Sequence, residues 1–256
     1  MKTQNCLKVV LPLLCWLGNE GVAHASGDAW VGLAGAELKR AVERDCVPRD
    51  YVSISLTERG IWEILKSTDA NVSGDAYIDR FSGIPLGFAP SVNEAPADAV
   101  PVNVIDAGWW KPESDMRFGV AHDLYNIYLS TPETAGLKSD YAPGTVSEPR
   151  FDNGRWRVGY GYADGVRRMM WNPPAGYEGD VARVVMYMLT VYRSGLVTFG
   201  GPGGAYVSRE SYPGINEWAL RQLLAWHRSD PVDESERRRN AEFSKWQGNY
   251  NPFVEY

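Results

Sequence analysis

The sequence predicts an α+β protein with one folded domain. Of its 256 residues, 44% are hydrophobic and 12% are aromatic, so the chain can bury a large core. Apolar residues recur at helical spacing in some segments and alternate in others. No repeat or low-complexity tract divides the chain. These observations favour a single mixed domain, in which strands and helices share one core.

In the first part of the chain, helical periodicity is clearest at residues 32–49, where Pro48 follows the predicted helix end. Residues 57–67 fit an extended piece or a short helix. Residues 77–82, with the sequence Tyr-Ile-Asp-Arg-Phe-Ser, fit a strand. Residues 88–101 contain several prolines and little periodicity, which predicts a loop.

Two strands are predicted in the middle of the chain. Residues 102–105 are rich in β-branched side chains, and residues 156–162 alternate between apolar and polar positions. Residues 197–207 are glycine-rich and predict a loop or a hairpin.

Three helices are predicted towards the C-terminus. Residues 179–192 are apolar on most faces, which predicts a buried helix with Asp180 as its N-cap. Residues 217–227 predict a second helix. Asp230, followed by a proline, is predicted to open a third helix that ends at Gly248.

The N-terminus has the pattern of an export signal. Lys2 and Lys8 give it positive charge, residues 9–18 form a short apolar run, and residues 23–25 read Ala-His-Ala. We predict a signal peptide at residues 1–25 and a mature protein at residues 26–256. The mature protein is expected to be exported, to the periplasm or the extracellular space, with no membrane-spanning segment.

The cysteine content, the net charge and the absence of several motifs limit the classes of function that the chain can have. Without the signal, Cys46 is the only cysteine, and we predict an inert buried thiol, with a reactive thiol as the alternative. The formal net charge is -6, so a nucleic-acid partner would need a local basic patch. The chain contains no Gly-x-Ser-x-Gly, Cys-x-x-Cys or His-Glu-x-x-His motif, which leaves serine-hydrolase, redox and zinc-protease chemistry without support.

Several motifs occur in a specific order along the chain. They are Asp-Leu-Tyr-Asn-Ile-Tyr at 123–128, Glu-Thr-Ala-Gly-Leu-Lys-Ser-Asp-Tyr at 133–141, the buried helix from residue 179, Trp-His-Arg-Ser-Asp-Pro at 226–231, and Gln-Gly-Asn-Tyr-Asn-Pro-Phe at 247–253. Their order and spacing resemble the bacterial endonuclease I family, secreted nucleases of the ββα-metal (His-Me finger) class.

This resemblance implies a ββα-metal finger embedded in one mixed domain with several helices. It also implies a monomer that hydrolyses DNA, with RNA as a further substrate, largely without sequence specificity. In this class a histidine deprotonates the attacking water, and a glutamate and an asparagine hold one divalent cation. Carboxylate and amide oxygens suit Mg²⁺, which the resemblance implies as the cofactor.

The chain departs from the family where the catalytic side chains are expected. Two alignments of the Glu-His pair are open, and they place it on Ile105-Asp106 or on Val102-Asn103. The metal-binding asparagine aligns with Ala135, which has no ligand atom. The histidine of the family's Asp-Leu-His motif aligns with Tyr125. Four functional side chains of the family are therefore replaced.

Asp106 is the best remaining candidate for a catalytic and metal-binding group, since a carboxylate binds cations and accepts protons. Its ordinary pKa of about 3.9 makes it a weak base at neutral pH unless burial raises that pKa. We predict Asn103 as its catalytic partner, and Asn126 and Asp123 as further metal ligands. The alternative is that Asp106 only forms the turn that follows it.

Three arginines are candidates for phosphate contacts, because the planar guanidinium pairs with phosphate oxygens. They are Arg183, Arg239 and Arg237. The alternative for Arg183 is an ion pair in the core. The alternative for the run at 237–239 is a solvated helix face with acidic neighbours such as Glu234.

Other residues suggest functions for which a structural role is the alternative. Trp109 and Trp110 can stack on unpaired bases or pack in the core. His122 next to Asp123 resembles a catalytic pair, but we predict a structural histidine. We predict that His227 binds the carbonyls at its helix end.

Two classes of function therefore stay open from the sequence. The first is a metal-dependent endonuclease with a rebuilt site around Asp106. The second is a catalytically inactive protein that keeps the nuclease scaffold and binds nucleic acid or a protein.

Overall fold

The structure is a computed structural model. It describes residues 28–51, 61–69, 76–86, 99–112, 115–193, 195–196, 203–208, 210 and 212–256. The predicted signal peptide lies outside these residues, as do most of the predicted loop at 88–101 and part of the one at 197–207. The described residues form a mixed α+β domain, as predicted. Among them, no helix combines the length and the apolar character needed to cross a membrane.

Two helices stand at the beginning of the described chain, α1 (Gly35–Asp45) and α2 (Ile61–Thr68). The helix predicted at 32–49 is confirmed by α1, whose apolar face is buried. The segment predicted as extended or helical, 57–67, is helical from residue 61 onwards.

The strand predicted at 77–82 is wrong. Ile78 forms an isolated bridge with Pro85, and the chain between them turns. Asp79 organises this turn, since its Oδ1 accepts from the Phe81 backbone N–H (2.9 Å) and its Oδ2 accepts from Ser82 Oγ (2.7 Å). Such aspartate bonds to nearby residues compete with a strand.

The next elements are β1 (Val100–Asn103), α3 (Met116–His122), β2 (Ile127–Ser130) and α4 (Pro132–Lys138). The strand predicted at 102–105 exists but begins earlier, at residue 100. β1 and β2 form a two-stranded antiparallel sheet. α4 begins directly after β2, with its N-terminus capped by a threonine side chain and a proline at its first position. We call β1, β2, α4 and the segment between the strands the finger (residues 100–138).

A second sheet has four strands. They are β3 (Ala142–Pro143), β4 (Glu148–Asp152), β5 (Arg157–Ala163) and β6 (Val166–Asn172). Their order is β3-β6-β5-β4, with β3 parallel to β6 and the other pairs antiparallel. The strand predicted at 156–162 is confirmed by β5.

Four helices complete the domain, α5 (Glu178–Val191), α6 (Glu217–Ser229), α7 (Glu234–Gln247) and α8 (Pro252–Glu255). The helices predicted at 179–192 and 217–227 are confirmed by α5 and α6. α5 is buried from its second residue to its end and packs against α6, α1 and α8. It is therefore the central helix of the core.

The N-cap predicted for α5 is wrong. Asp180 lies inside the first turn of α5, and Tyr177 occupies the cap position. The Asp180 carboxylate forms a buried ion pair with Arg80 instead. This partner is distant in sequence, so local spacing does not reveal it.

The start predicted for the third C-terminal helix is also wrong. Asp230 follows α6, and its carboxylate accepts from the Gly179 backbone N–H at 2.8 Å. Asp233 caps α7 instead, since it accepts from the Glu236 backbone N–H at 2.8 Å. The predicted end is confirmed, because Gly248 terminates α7 with a φ of 69°.

The last residue of α7 and the residues that follow it lie in the core. Gln247 donates through Nε2 to Asp123 Oδ1 at 3.0 Å. Asn249 donates through Nδ2 to the Cys46 carbonyl at 2.6 Å and lies 2.7 Å from the Tyr187 hydroxyl. Both side chains are buried. The C-terminal segment therefore holds together elements from both ends of the chain.

The core accounts for three residues whose roles the sequence left open. Cys46 is fully buried, and burial raises the pKa of its thiol to about 12, so the prediction of an inert thiol is confirmed. Trp109 and Trp110 are 3% and 0% exposed. Trp110 Nε1 donates to the Tyr192 carbonyl. Both tryptophans therefore pack in the core and offer no stacking surface.

Candidate functional site

Asp106 lies just after β1, at the beginning of a 3-10 turn (Ala107–Trp109). Its Oδ1 accepts from the Gly108 backbone N–H at 2.6 Å. The side chain is half-exposed. It therefore caps the turn, as the alternative from sequence predicted, and it also presents a carboxylate to solvent.

Asn103, predicted as the catalytic partner of Asp106, ends β1 opposite Ile127. Its Nδ2 donates to the Ala121 carbonyl at 3.2 Å, which ties β1 to α3. The side chain is half-exposed. Asn103 and Asp106 thus lie close together in sequence at the same end of β1.

Asn126, predicted as a metal ligand, is fully buried. Its Oδ1 accepts from the Ile105 backbone N–H at 2.8 Å, and its Nδ2 donates to the carbonyls of Ile105 and Val120, both at 2.9 Å. The amide therefore bridges the segment after β1 and the end of α3. Its oxygen already serves a buried N–H, so the structure does not offer it to a cation.

Asp123, the other predicted ligand, is also fully buried. Its Oδ2 accepts from the hydroxyls of Tyr187 and Tyr192, both at 2.7 Å. Its Oδ1 accepts from the Tyr125 backbone N–H and from Gln247 Nε2. Burial raises the pKa of Asp123, and the hydrogen bonds from Gln247 and the two tyrosines oppose this. The carboxylate is thus enclosed by neutral donors.

Tyr125, which aligns with the histidine of the family motif, points into the same buried region. Its hydroxyl donates to the carbonyls of Asn240 and Asn249, at 3.2 and 3.1 Å. Burial raises the pKa of this phenol well above its ordinary value, so it stays neutral. It serves here as a hydrogen-bond donor between the finger and the C-terminal segment.

These residues do not fit the Mg²⁺ that the family resemblance implies. Within the described ranges, no group of three or more His, Cys, Asp or Glu side chains is arranged to hold a metal ion. Asn126 and Asp123 are buried and hydrogen-bonded, and Ala135 on α4 has no donor atom. Of the three predicted metal ligands, only Asp106 keeps its carboxylate open to solvent, so any Mg²⁺ there would be held by one side chain, with water or substrate in its other positions.

Lys138, in the last turn of α4, is a residue that sequence reasoning missed. Its side chain is 1% exposed, and its Nζ donates to the Ser139 carbonyl at 3.2 Å. The ammonium lies 5.6 Å from the ring centre of Phe81 and 5.7 Å from that of Trp171. Burial lowers the pKa of Lys138 to about 8, and the negative charge of Asp106 opposes the shift.

Lys138 therefore places a buried cation within electrostatic reach of the Asp106 carboxylate. Its position matches the basic residue of the family's motif at 133–141, which was the available signal. The sequence does not reveal that this lysine points between two aromatic rings.

Arg183 lies on α5 with 0% of its side chain exposed. Its Nε donates to Glu236 Oε1 at 2.7 Å, and Nη2 pairs with Glu236 Oε2 at 2.5 Å. Nη1 donates to the Asp230 carbonyl at 2.9 Å. Arg183 therefore forms an ion pair in the core, which is the alternative that the sequence left open. A phosphate contact would require Arg183 to break its bonds with Glu236 and with the Asp230 carbonyl.

Arg239 is likewise buried in α7, where it pairs with Asp69. Its guanidinium carbon lies 4.8 Å from the ring centre of Tyr128 and 4.3 Å from that of Phe243. Arg237, in contrast, is exposed and donates to the Val232 carbonyl at 3.3 Å. Of the three arginines predicted to contact phosphate, Arg237 is the one whose side chain is exposed on the surface.

Neither His122 nor His227 forms a catalytic pair with an acidic side chain in the part of the chain that the structure describes. The ring of His122 stacks on Phe118 at 4.0 Å between ring centres, and its Nδ1 lies 2.9 Å from the Phe118 carbonyl oxygen. The neighbouring Asp123 faces the core. His227 was predicted to bind helix-end carbonyls, which is wrong, because its Nδ1 lies 3.2 Å from Nη1 of Arg183.

His227 gives the stability a specific pH dependence. Burial and the charges of Arg183 and Arg228 lower its pKa to about 4. The unfolded chain, with an ordinary histidine pKa of about 6.5, then binds the proton more readily. The contribution of His227 to the free energy of unfolding is therefore complete above about pH 6.5. It falls as the pH drops from there towards 4.

We expect His227→Gln to weaken this dependence, since glutamine can accept from Arg183 without binding a proton. Urea unfolding of both proteins at about pH 7 and about pH 5 measures the difference. An equal loss of unfolding free energy in the two proteins would contradict the neutral state of His227.

The two-stranded sheet and α4 lie among the sequence motifs described above, and comparison with known proteins assigns the chain to a class of nucleases. The chain belongs to the Endonuclease I family, whose sequence pattern matches residues 53–256. It is 35% identical over 242 residues to the extracellular ribonuclease of Bacillus amyloliquefaciens, covering 88% of this chain and 73% of that protein. It is 32% identical over 153 residues to the extracellular ribonuclease of Bacillus subtilis (strain 168), covering 58% of this chain and 49% of that protein.

Proposed function

We propose that this protein is exported, that nucleic acid is its partner, and that its finger has lost the metal-dependent hydrolysis of the family. Family membership supports the first part of the proposal, since both relatives are named extracellular ribonucleases. The sequence pattern at residues 1–25 independently supports export. DNA and RNA are both candidate partners.

One observation carries the loss of hydrolysis. Of the positions where metal ligands are expected, Ala135 has no ligand atom, and the oxygens of Asn126 and Asp123 already accept hydrogen bonds in the core. Asp106 is left as a single carboxylate open to solvent. The order β1, β2, α4 supports a ββα finger as the ancestral scaffold. In this proposal the scaffold persists because the same residues hold the domain together.

The second candidate is a nuclease with a rebuilt site around Asp106. The half-exposed carboxylate of Asp106 and the buried ammonium of Lys138, whose pKa is about 8, favour this candidate. A carboxylate can bind one cation or accept a proton, and a fixed positive charge beside it can stabilise a developing phosphate charge.

A cleavage assay separates the two candidates. We expect the mature protein to leave plasmid, single-stranded DNA and RNA intact in Mg²⁺, Mn²⁺ or EDTA, while a labelled oligonucleotide still binds. Asp106→Asn is the matched variant, because an amide oxygen can still cap the turn but carries no charge. Asp106→Asn is expected to bind the oligonucleotide as the native protein does.

Cleavage by the native protein that disappears in Asp106→Asn would overturn the proposal and support the rebuilt nuclease. Cleavage that persists in Asp106→Asn would place the chemistry elsewhere in the chain. Failure to bind any nucleic acid would overturn the proposed partner itself.

A further inference from the structure

The outer half of the four-stranded sheet presents aromatic and basic side chains on one face. In the register of β5 and β6, Tyr160 lies opposite Met169 and Tyr162 lies opposite Arg167. Glu148 of β4 lies opposite Tyr160. Residues two apart on a strand share a face, so these side chains stand together. We call Glu148, Arg150, Tyr160, Tyr162 and Arg167 the outer sheet patch.

The same face is continuous with the finger at its inner end. There Val158 lies opposite Trp171, and both are buried. Trp171 packs on Phe81, with ring centres 5.3 Å apart, and lies beside the Lys138 ammonium. The outer sheet patch therefore extends from the element that also packs against the candidate site.

The cations of the patch lie over an aromatic ring. The guanidinium carbon of Arg167 is 3.4 Å from the ring centre of Tyr160, and that of Arg150 is 5.0 Å away. Arg167 also pairs with Glu148 at 2.7 Å. No acidic partner of Arg150 occurs in the part of the chain that the structure describes, so the patch has a local excess of positive charge.

Tyr162 completes the patch with a ring that is open to solvent. Tyr162 is 56% exposed. Its hydroxyl donates to Glu148 Oε1 at 3.1 Å, and this hydrogen bond fixes the orientation of the ring. Exposed ion pairs of this kind contribute little to stability. An oriented exposed ring beside stacked arginines is therefore not explained by the needs of the fold.

We propose that the outer sheet patch binds a single-stranded segment of nucleic acid, an inference that rests on the proposed function. Unpaired bases stack on the Tyr162 ring and on the guanidinium plane of Arg167, and Arg150 pairs with phosphate. The patch also supplies the local basic surface that a chain of net charge -6 needs for this partner.

The test measures binding in EDTA, so that cleavage does not enter. Fluorescence anisotropy would use short labelled single-stranded RNA, single-stranded DNA of the same sequence, and the corresponding duplex. We expect Tyr162→Ala and Arg150→Ala each to weaken single-strand binding by about 5- to 20-fold. A plot of log affinity against log salt concentration has a negative slope, and Arg150→Ala is expected to make that slope less negative by about 0.7.

Two further variants distinguish binding from a general structural effect. Arg221→Ala is the matched control, since Arg221 is an exposed arginine on α6 that pairs with Glu217 and is not part of the outer sheet patch. It is expected to bind as the native protein does. Glu148→Gln removes the one negative charge of the patch, and we expect it to tighten binding, which damage to the fold would not do.

The inference is overturned if Tyr162→Ala and Arg150→Ala bind like the native protein, or if duplex binds as tightly as single strands. It is also overturned if the native protein binds no single strand. Loss of binding in these variants supports it whether or not the native protein cleaves nucleic acid. Cleavage by the native protein with unchanged binding in the variants would reject the patch and leave a nuclease function standing.

Discussion

Arg183→Met is expected to destabilise the protein by about 3–5 kcal/mol, because it leaves Glu236 as an unpaired charge in the core. Arg183 is fully buried, and it donates two hydrogen bonds to that carboxylate and one to the Asp230 carbonyl. Methionine fills a similar volume but replaces none of these bonds. Urea unfolding of the native and variant proteins measures the loss of unfolding free energy.

Arg237→Met is the control for this prediction. Arg237 lies on the exposed side of α7, so the change is expected to alter the unfolding free energy by less than about 0.5 kcal/mol. An Arg183→Met protein with native stability but impaired nucleic-acid binding would contradict the buried ion pair. That result would support the other hypothesis from the sequence, in which Arg183 contacts a phosphate.

Asp123→Ala is the second change with a large expected effect. Removing this carboxylate leaves the hydroxyls of Tyr187 and Tyr192 and the amide of Gln247 without their acceptor inside the core. A buried donor without a partner costs about 1–3 kcal/mol, so we expect a total loss of at least about 3 kcal/mol. Thermal or urea unfolding measures it. Asp115→Ala is the control, because Asp115 is exposed and its side chain makes no cap hydrogen bond.

The same experiment tests whether Asp123 holds a metal. If the carboxylate is purely structural, Mg²⁺ is expected to leave the Tm of the native protein unchanged relative to EDTA. An increase of the native Tm with Mg²⁺ that is absent in Asp123→Ala would instead identify Asp123 as a ligand, since a ligand that binds only the folded state stabilises it.

The helices were predictable because their evidence is local. α5 and α6 show their apolar character and helical length within the segment itself, and Gly248 marks the end of α7 by a conformation that glycine adopts readily. The strand predicted at 77–82 was wrong because the Asp79 side chain bonds its own following residues, a competition that the apolar pattern does not show.

The roles of charged residues were less predictable because their partners are distant in sequence. The pairs Arg80–Asp180 and Arg183–Glu236 join segments that only the fold brings together. A motif match places Arg183 and Lys138 in the right family positions, yet it does not say whether their charges face solvent or the core. The replaced finger residues were visible from sequence, but the engagement of Asn126 and Asp123 required the structure.

The bonds of Gln247 and Asn249 also bear on how the domain loses its structure. The two amides join residues near position 46, position 123 and α5, three segments that are far apart in the sequence. Opening the region around these amides therefore breaks contacts of all three segments at once. We expect the three segments to unfold in one cooperative step and to show similar protection against amide hydrogen exchange.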